Sequence, residues 1–172
     1  MVKGINFLGE IVMDKLPRQA LPLLVLYLDN QSPIEGRTKF QKIMFIIEQE
    51  VKGIDKYFSQ KHSWDAYHFG PFSDSLLEDL ELLNLWGLIR IKEKYFEEED
   101  ISSEYVVYEI TEKGKRIVKG KILPKLPTKV IKKITEIKQK YIKMPVMEII
   151  SDVYKRYPVF AEKSKIKDKV MR

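Results

Sequence analysis

His62 and His68 stand six residues apart with Asp65 between them, residue types that could hold a metal ion or shuttle a proton. A six-residue spacing fits neither the three- or four-residue repeat of a helix face nor the two-residue repeat of a strand, so both rings read as structural or solvated. Two acidic runs could supply acid–base pairs, Asp74, Glu78, Asp79 and Glu81 in one and Glu97 to Asp100 in the other. No nucleophile or phosphate loop accompanies either, and both read as solvated faces. The chain has no cysteine, hence no disulfide, thiolate metal site or cysteine nucleophile. Walker loop, Gly-x-Gly-x-x-Gly, His-Glu-x-x-His and Gly-x-Ser-x-Gly motifs are all absent, so neither enzyme activity nor a cofactor or metal is expected.

What remains is charge. The 172 residues carry a formal net charge of +6, and its distribution is polar along the chain. Residues 1–100 hold 12 basic against 17 acidic residues, net −5, while residues 101–172 hold 19 against 8, net +11. Between Thr111 and Lys143 twelve cations face only Glu112 and Glu136. Such a surplus points to a polyanionic partner. The longest nearly uncharged stretch, residues 20–28, is nine residues with Pro22 inside it, against the roughly 20 that span a bilayer. Residues 1–14 carry Glu10 and Asp14 and no cleavage site, so no secretory signal is read and a cytoplasmic protein is expected.

The elements that must position these charges follow from periodicity and turn residues. Leucine-rich residues 16–29 predict a buried first helix, ended by Asn30, Ser32 and Pro33. Phe40, Ile43, Met44, Ile47 and Val51 predict a second helix over 38–51, entered through the exposed cations Arg37, Lys39 and Lys42. Residues 57–69 are aromatic-rich and predict an irregular strand or extended loop before the breaker Gly70-Pro71. The aromatics there, Tyr57, Phe58, Trp64, Tyr67, Phe69 and Phe72, either pack in the core or stack on bases. Ser73 is an N-cap for a third helix carrying Leu76, Leu77, Leu80 and Leu83 to about residue 84. Runs 89–96 and 105–110 predict an antiparallel hairpin with an acidic tip. Thr111 caps a helix toward Lys121, residues 128–143 form an amphipathic helix, 145–157 a last one, and a basic tail frays from Lys163.

On the 128–143 helix, Val130, Ile134, Ile137 and Tyr141 fall in one stripe at spacings of four, three and four. That stripe is either a short dimer seam or a face packed against Val146, Ile149, Ile150 and Val153 of the last helix. Lys129, Lys132, Lys133, Lys140 and Lys143 occupy the other side, interrupted by Glu136.

Two local patterns resemble known families. The stretch 75–89, with Leu76, Leu80, Leu83, Trp86, Gly87 and Ile89, and the sequence Tyr108, Ile110, Thr111, Gly114, Lys115, Arg116 resemble the third helix and the close of the wing in PadR- and MarR-type winged-helix regulators. The resemblance covers about residues 16–121. It implies a mainly α, winged helix-turn-helix domain over 1–122 with a small antiparallel hairpin, followed by a basic helical extension over 123–172 that could pair two copies. A second similarity, through Gly36, Arg37, Thr38, Lys39, Phe40, Gln41 and Lys42 and through residues 67–72, is to YwgA-like and Panacea (SocA-like antitoxin) domains and implies regulatory protein contacts.

The expected role is non-enzymatic binding of duplex DNA in transcriptional control. Arg37, Lys39, Lys42, Lys113, Lys115, Arg116, Lys129, Lys132 and Lys133 would hold phosphates, and Ser73 and Ser75 would reach base edges. The third helix and wing depart from the family pattern, because they carry carboxylates where a groove-binding element needs donors or cations. The alternative is therefore a protein-interaction module that uses the acidic third helix and acidic wing.

Overall fold

The computed structural model describes residues 4–5, 11–12, 14–98 and 101–171, with side chains described for 14–93 and 105–171. The chain is mainly helical with small antiparallel sheets. Strands β1 (Gly4–Ile5) and β2 (Ile11–Val12) pair with each other. Helix α1 (Ala20–Tyr27) is apolar on nearly every face and buried from Ala20 to Leu26. It starts four residues later than its leucines suggest, because Leu16 is held outside it: its N–H donates to the Tyr57 carbonyl and its carbonyl accepts from Ser59 N–H, both at 2.8 Å.

After α1 the chain turns through three successive left-handed residues, Asp29, Asn30 and Gln31, with φ of 58°, 54° and 56°. Each non-glycine residue in that region costs about 1–2 kcal/mol. A clamp offsets this: Lys138 Nζ donates to the carbonyls of Leu28 (2.7 Å), Ser32 (2.8 Å) and Leu26 (3.5 Å). Burial lowers the pKa of Lys138 to about 8, with Asp29 opposing the shift, and three carbonyl acceptors match the three protons of its ammonium.

Strand β3 (Ile34–Glu35) leads into α2 (Arg37–Glu50), the central helix, buried without interruption from Phe40 to Glu48. A 3₁₀ turn (Ile54–Lys56) follows. The aromatic segment, read from sequence as irregular, folds into a second hairpin of β4 (Asp65–Tyr67) and β5 (Gly70–Phe72). Helix α3 (Asp74–Leu85) is capped by Ser73, whose Oγ accepts from Leu76 N–H at 3.2 Å. Strands β6 (Ile89–Glu98) and β7 (Ile101–Ile110) form a longer hairpin than expected, and β3 pairs with β7 to give the sheet order β3-β7-β6. Of the acidic tip, Glu99 and Asp100 lie outside the described residues, as do the side chains of Glu97 and Glu98.

Helix α4 (Glu112–Ile117) is capped by Thr111 and continues as a wide π turn (Val118–Ile122) that brings both Val118 and Ile122 into the core. Helices α5 (Thr128–Ile142) and α6 (Val146–Arg156) pack on α2, and α7 (Lys167–Val170) closes the described chain. One continuous hydrophobic core runs from Leu16 to Val170. Two expectations change here. Val130, Ile134, Ile137 and Tyr141 are buried within the chain's own core, so they are not available as a dimer seam. The tail past Lys163 packs back instead of fraying: Lys165 N–H donates to the His68 carbonyl, Ser151 Oγ to the Val170 carbonyl, and Val170 is buried. Among the described residues no helix is long and apolar enough to cross a membrane.

Candidate functional site

The position of α3 is set by a buried ionic cluster. His62, in the loop before β4, has Nδ1 2.6 Å from Glu48 Oε1 on α2 and Nε2 2.8 Å from Asp79 Oδ2 on α3. Arg18 donates twice to Asp79, at 2.7 and 2.9 Å, Gln19 donates once at 2.8 Å, and Trp64 Nε1 donates to Glu48 Oε2 at 2.7 Å. Glu48, His62 and Asp79 are all buried. Ionised carboxylates only accept, so an imidazole between two of them carries both protons, and the cluster balances two anions against the imidazolium and the guanidinium. Burial by itself depresses the His62 pKa, but its bonds to Asp79 and Glu48 outweigh that and raise it. Burial likewise pushes Asp79 up, yet His62, Arg18 and Gln19 hold its carboxyl below the usual range. Asp79 therefore does not belong to a solvated acidic face; it ties the segment before α1, α2, the 59–64 loop and α3 together.

With Leu76, Asp79, Leu80 and Leu83 turned inward, the outer face of α3 carries Asp74, Glu78 and Glu81, then Leu82, Leu85 and, just past its end, Trp86. Leu85 is 79% exposed and Trp86 46%. No lysine or arginine lies on α3 itself; Arg18 pairs with its inward Asp79, Arg37 lines a cavity with Leu77 and Glu81, and Lys113 Nζ donates to the Trp86 carbonyl at 2.8 Å. The sequence pattern ends this helix at about residue 84 and does not mark Leu82 or Leu85 as exposed. A signal was present, because Leu82 lies two positions beyond Leu80, about 200° around the helix and so off the buried stripe.

The cations expected to grip phosphate do not form one surface. Lys42 is buried: its Nζ donates to the Pro71 carbonyl at 2.9 Å and burial lowers its pKa to about 7. Lys39 caps the C-terminus of α5 by donating to the Ile142 carbonyl at 3.0 Å, which leaves only Arg37 of the trio exposed. Ser73 is buried in its capping role, with its Oγ 2.9 Å from that of Ser75, and Ser75 Oγ also accepts from Ser63 N–H at 3.4 Å. Neither serine is free to reach a base edge. Lys115 pairs with Glu112 at 2.6 Å, and Arg116 is exposed. Lys129, Lys132 and Lys133 stand exposed with Lys140 and Lys143 along the outer side of α5, broken by Glu136, and no salt bridge among the described residues involves the first three. Lys138, though in the same basic run, points inward.

Compared with known proteins, the chain matches no protein family, no curated protein and no solved structure.

Proposed function

We propose that this chain is a winged-helix protein without catalytic activity, working in the cytoplasm as an interaction module whose α3 face docks a protein partner. The observation that carries the reading is the outer face of α3, acidic toward its N-terminus and apolar at its C-terminus, where Leu85 is the most exposed large hydrophobic side chain described. Three helices followed by a hairpin, with β3 closing a three-stranded sheet, support the winged-helix assignment. In that fold α3 would enter a DNA groove, but here its exposed ionisable groups are all carboxylates, which phosphates repel. The same face suits a cationic amphipathic helix: apolar anchors cover Leu82, Leu85 and Trp86 while lysines meet Glu78 and Glu81. The lack of cysteine agrees with a reducing compartment.

A labelled synthetic helix of leucine and lysine residues serves as the probe. Its anisotropy is expected to report binding to the folded protein, and Leu85→Asp to weaken that binding by at least about tenfold, the scale of one lost apolar anchor. Equal affinity for the variant and the parent chain would sink the reading.

The unpaired lysines of α5 favour a second reading, retention of duplex DNA by phosphate contacts alone. Five such contacts give a slope of log affinity against log salt of about −4.5, with little sequence preference. The expected result is a gel shift at low salt that K129E/K132E/K133E abolishes while the peptide still binds α3. No shift for the parent chain at low salt removes this reading.

A further inference from the structure

A depression of about 390 Å³ opens between the C-terminal end of α2 and the first turns of α5, within the range of about 300–1,000 Å³ that small ligands occupy. Its floor is apolar, formed by the buried Val51 and Val130. Lys52 stands on one side of it, and Lys129 and Lys133, one helical turn apart, stand on the other, all three exposed. Among the described residues none of these ammonium groups has a salt-bridge or hydrogen-bond partner. Like charges four positions apart on a helix repel, so the sequence holds Lys129 and Lys133 together at a cost that no described carboxylate offsets. The acids nearby are engaged or lie elsewhere. Glu50, the one carboxylate lining the depression, pairs with Arg156, which also holds Asp152, itself an acceptor from Tyr141 Oη at 2.5 Å. Asp55 and Lys56 of the adjoining 3₁₀ turn cancel, and neither lines the depression. Asp14, whose carbonyl accepts from Lys125, and Glu136, one turn from Lys132, Lys133 and Lys140, do not line it either. With Arg156 added to the three lysines, four cations stand against Glu50 and Asp152, a surplus of two positive charges.

We propose that this depression binds a phosphate monoester as its dianion, the phosphate seated between Lys52, Lys129 and Lys133 and the ester group resting on Val51 and Val130. Lysine is a point charge with three rotatable donors, suited to a tetrahedral oxyanion approached from several sides, where a planar carboxylate calls for the fork of arginine. A surplus of two charges matches a phosphate monoester above its second pKa of about 6, whereas a backbone phosphodiester carries one charge. The site is independent of α3 as a docking face. It differs from a row of DNA contacts along α5 in needing Lys52, which lies off that helix, and in leaving out Lys132, which does not line the depression.

Titration of the full chain with phenyl phosphate at low salt and mildly alkaline pH, followed by backbone amide NMR, tests this. Saturable shifts are expected at residues 51–53 and 129–133. Lys52→Gln, Lys129→Gln and Lys133→Gln are each expected to weaken binding about tenfold, the scale of one charge-assisted hydrogen bond. Lys132→Gln, on the same helix but outside the depression, is expected to cost at most about twofold, as a screened charge does. Affinity is expected to fall as pH is lowered through about 6, where the ester loses its second charge and the lysines keep theirs. No saturable binding, a Lys52→Gln chain that binds like the parent, a Lys132→Gln chain weakened as much as Lys52→Gln, or an affinity indifferent to the second charge would each overturn the proposal. A chain that shifts duplex DNA without saturable binding of the ester rejects the site and leaves the lysine row of α5 standing. The source of the phosphate is read from a short oligonucleotide with a terminal phosphate. Tighter binding than phenyl phosphate, lost when that phosphate is removed, names a nucleic-acid end, while equal or weaker binding names a small ester; both support the site.

Discussion

His62→Ala is expected to lower the unfolding free energy by about 3–5 kcal/mol near neutral pH, because it strands two buried carboxylates without the cation between them. Glu48 keeps Trp64 and the backbone N–H of residue 62, Asp79 keeps Arg18 and Gln19, and neither carboxylate can reach water. The deficit is expected to depend on pH with a definite sign. The groups facing the ring are Glu48 from α2 and Asp79 from α3, with Arg18 behind Asp79. Because the folded-state pKa of His62 is raised, its contribution is fully present below the unfolded value of about 6.5 and fades as pH rises through the folded value. Asp79 works in the opposite sense: its depressed pKa gives stability above its unfolded value of about 3.9, lost as the solution is acidified. Denaturant unfolding across pH should therefore show the His62→Ala deficit largest between these limits and shrinking on the alkaline side. A deficit that stays flat into the alkaline range would mean that the ring is not an imidazolium.

Gly114→Ala is expected to cost about 2–3 kcal/mol, as an overpacked site does when the neighbouring atom belongs to the backbone. Thr111 builds the corner there: its Oγ1 donates toward the carbonyls of Gly87 and Leu88, at 2.7 and 3.0 Å, and accepts from Gly114 N–H at 3.1 Å. A Cβ on Gly114 would land on the Leu88 carbonyl oxygen and lie 2.8 Å from Ile110 Cγ1. Gly87 is the control. Its φ is 69° and an added Cβ meets nothing within 4 Å, so Gly87→Ala costs only the left-handed conformation, about 1–2 kcal/mol. Unfolding midpoints that rank Gly87→Ala as the more damaging change would contradict the packing described at this corner.

Elements whose cause is local were legible in the sequence. Ser73 and Thr111 mark helix starts because their hydroxyls accept from N–H groups three residues on. The apolar repeat of α2, the alternation of β6 and β7 and the stripe on α5 are likewise written in short windows. What was not legible depends on distant partners. The β4–β5 hairpin is held by the returning tail, about a hundred residues later, and the His62 cluster joins residues separated by 14 and 17 positions with no repeat to announce them. Charged residues misled for the same reason. Asp79 sits in an acidic run but faces inward, and Lys42 is enclosed because α2 has no solvent side between Phe40 and Glu48. Lys138 alone carried a signal, since it lies between Ile134 and Tyr141 on the apolar stripe of α5. The α3 face was legible in its charge and illegible in its exposed Leu85, whose fate depends on what the rest of the chain leaves uncovered.

The clamp on the left-handed turn orders events during synthesis. The carbonyls at the end of α1 receive their ammonium from a residue 110 positions downstream, so on the ribosome Asp29, Asn30 and Gln31 have only the local bonds of Gln31 N–H to the Tyr27 carbonyl and of Ser32 to Asp29 until α5 has emerged. A chain cut after residue 122 would keep α1 to α4 and β1 to β7 yet lack that ammonium and the stripe beside it. The last fifty residues are thus the part that licenses the rest to settle, and a stalled or clipped product would present its leucine-rich first helix to chaperones and proteases.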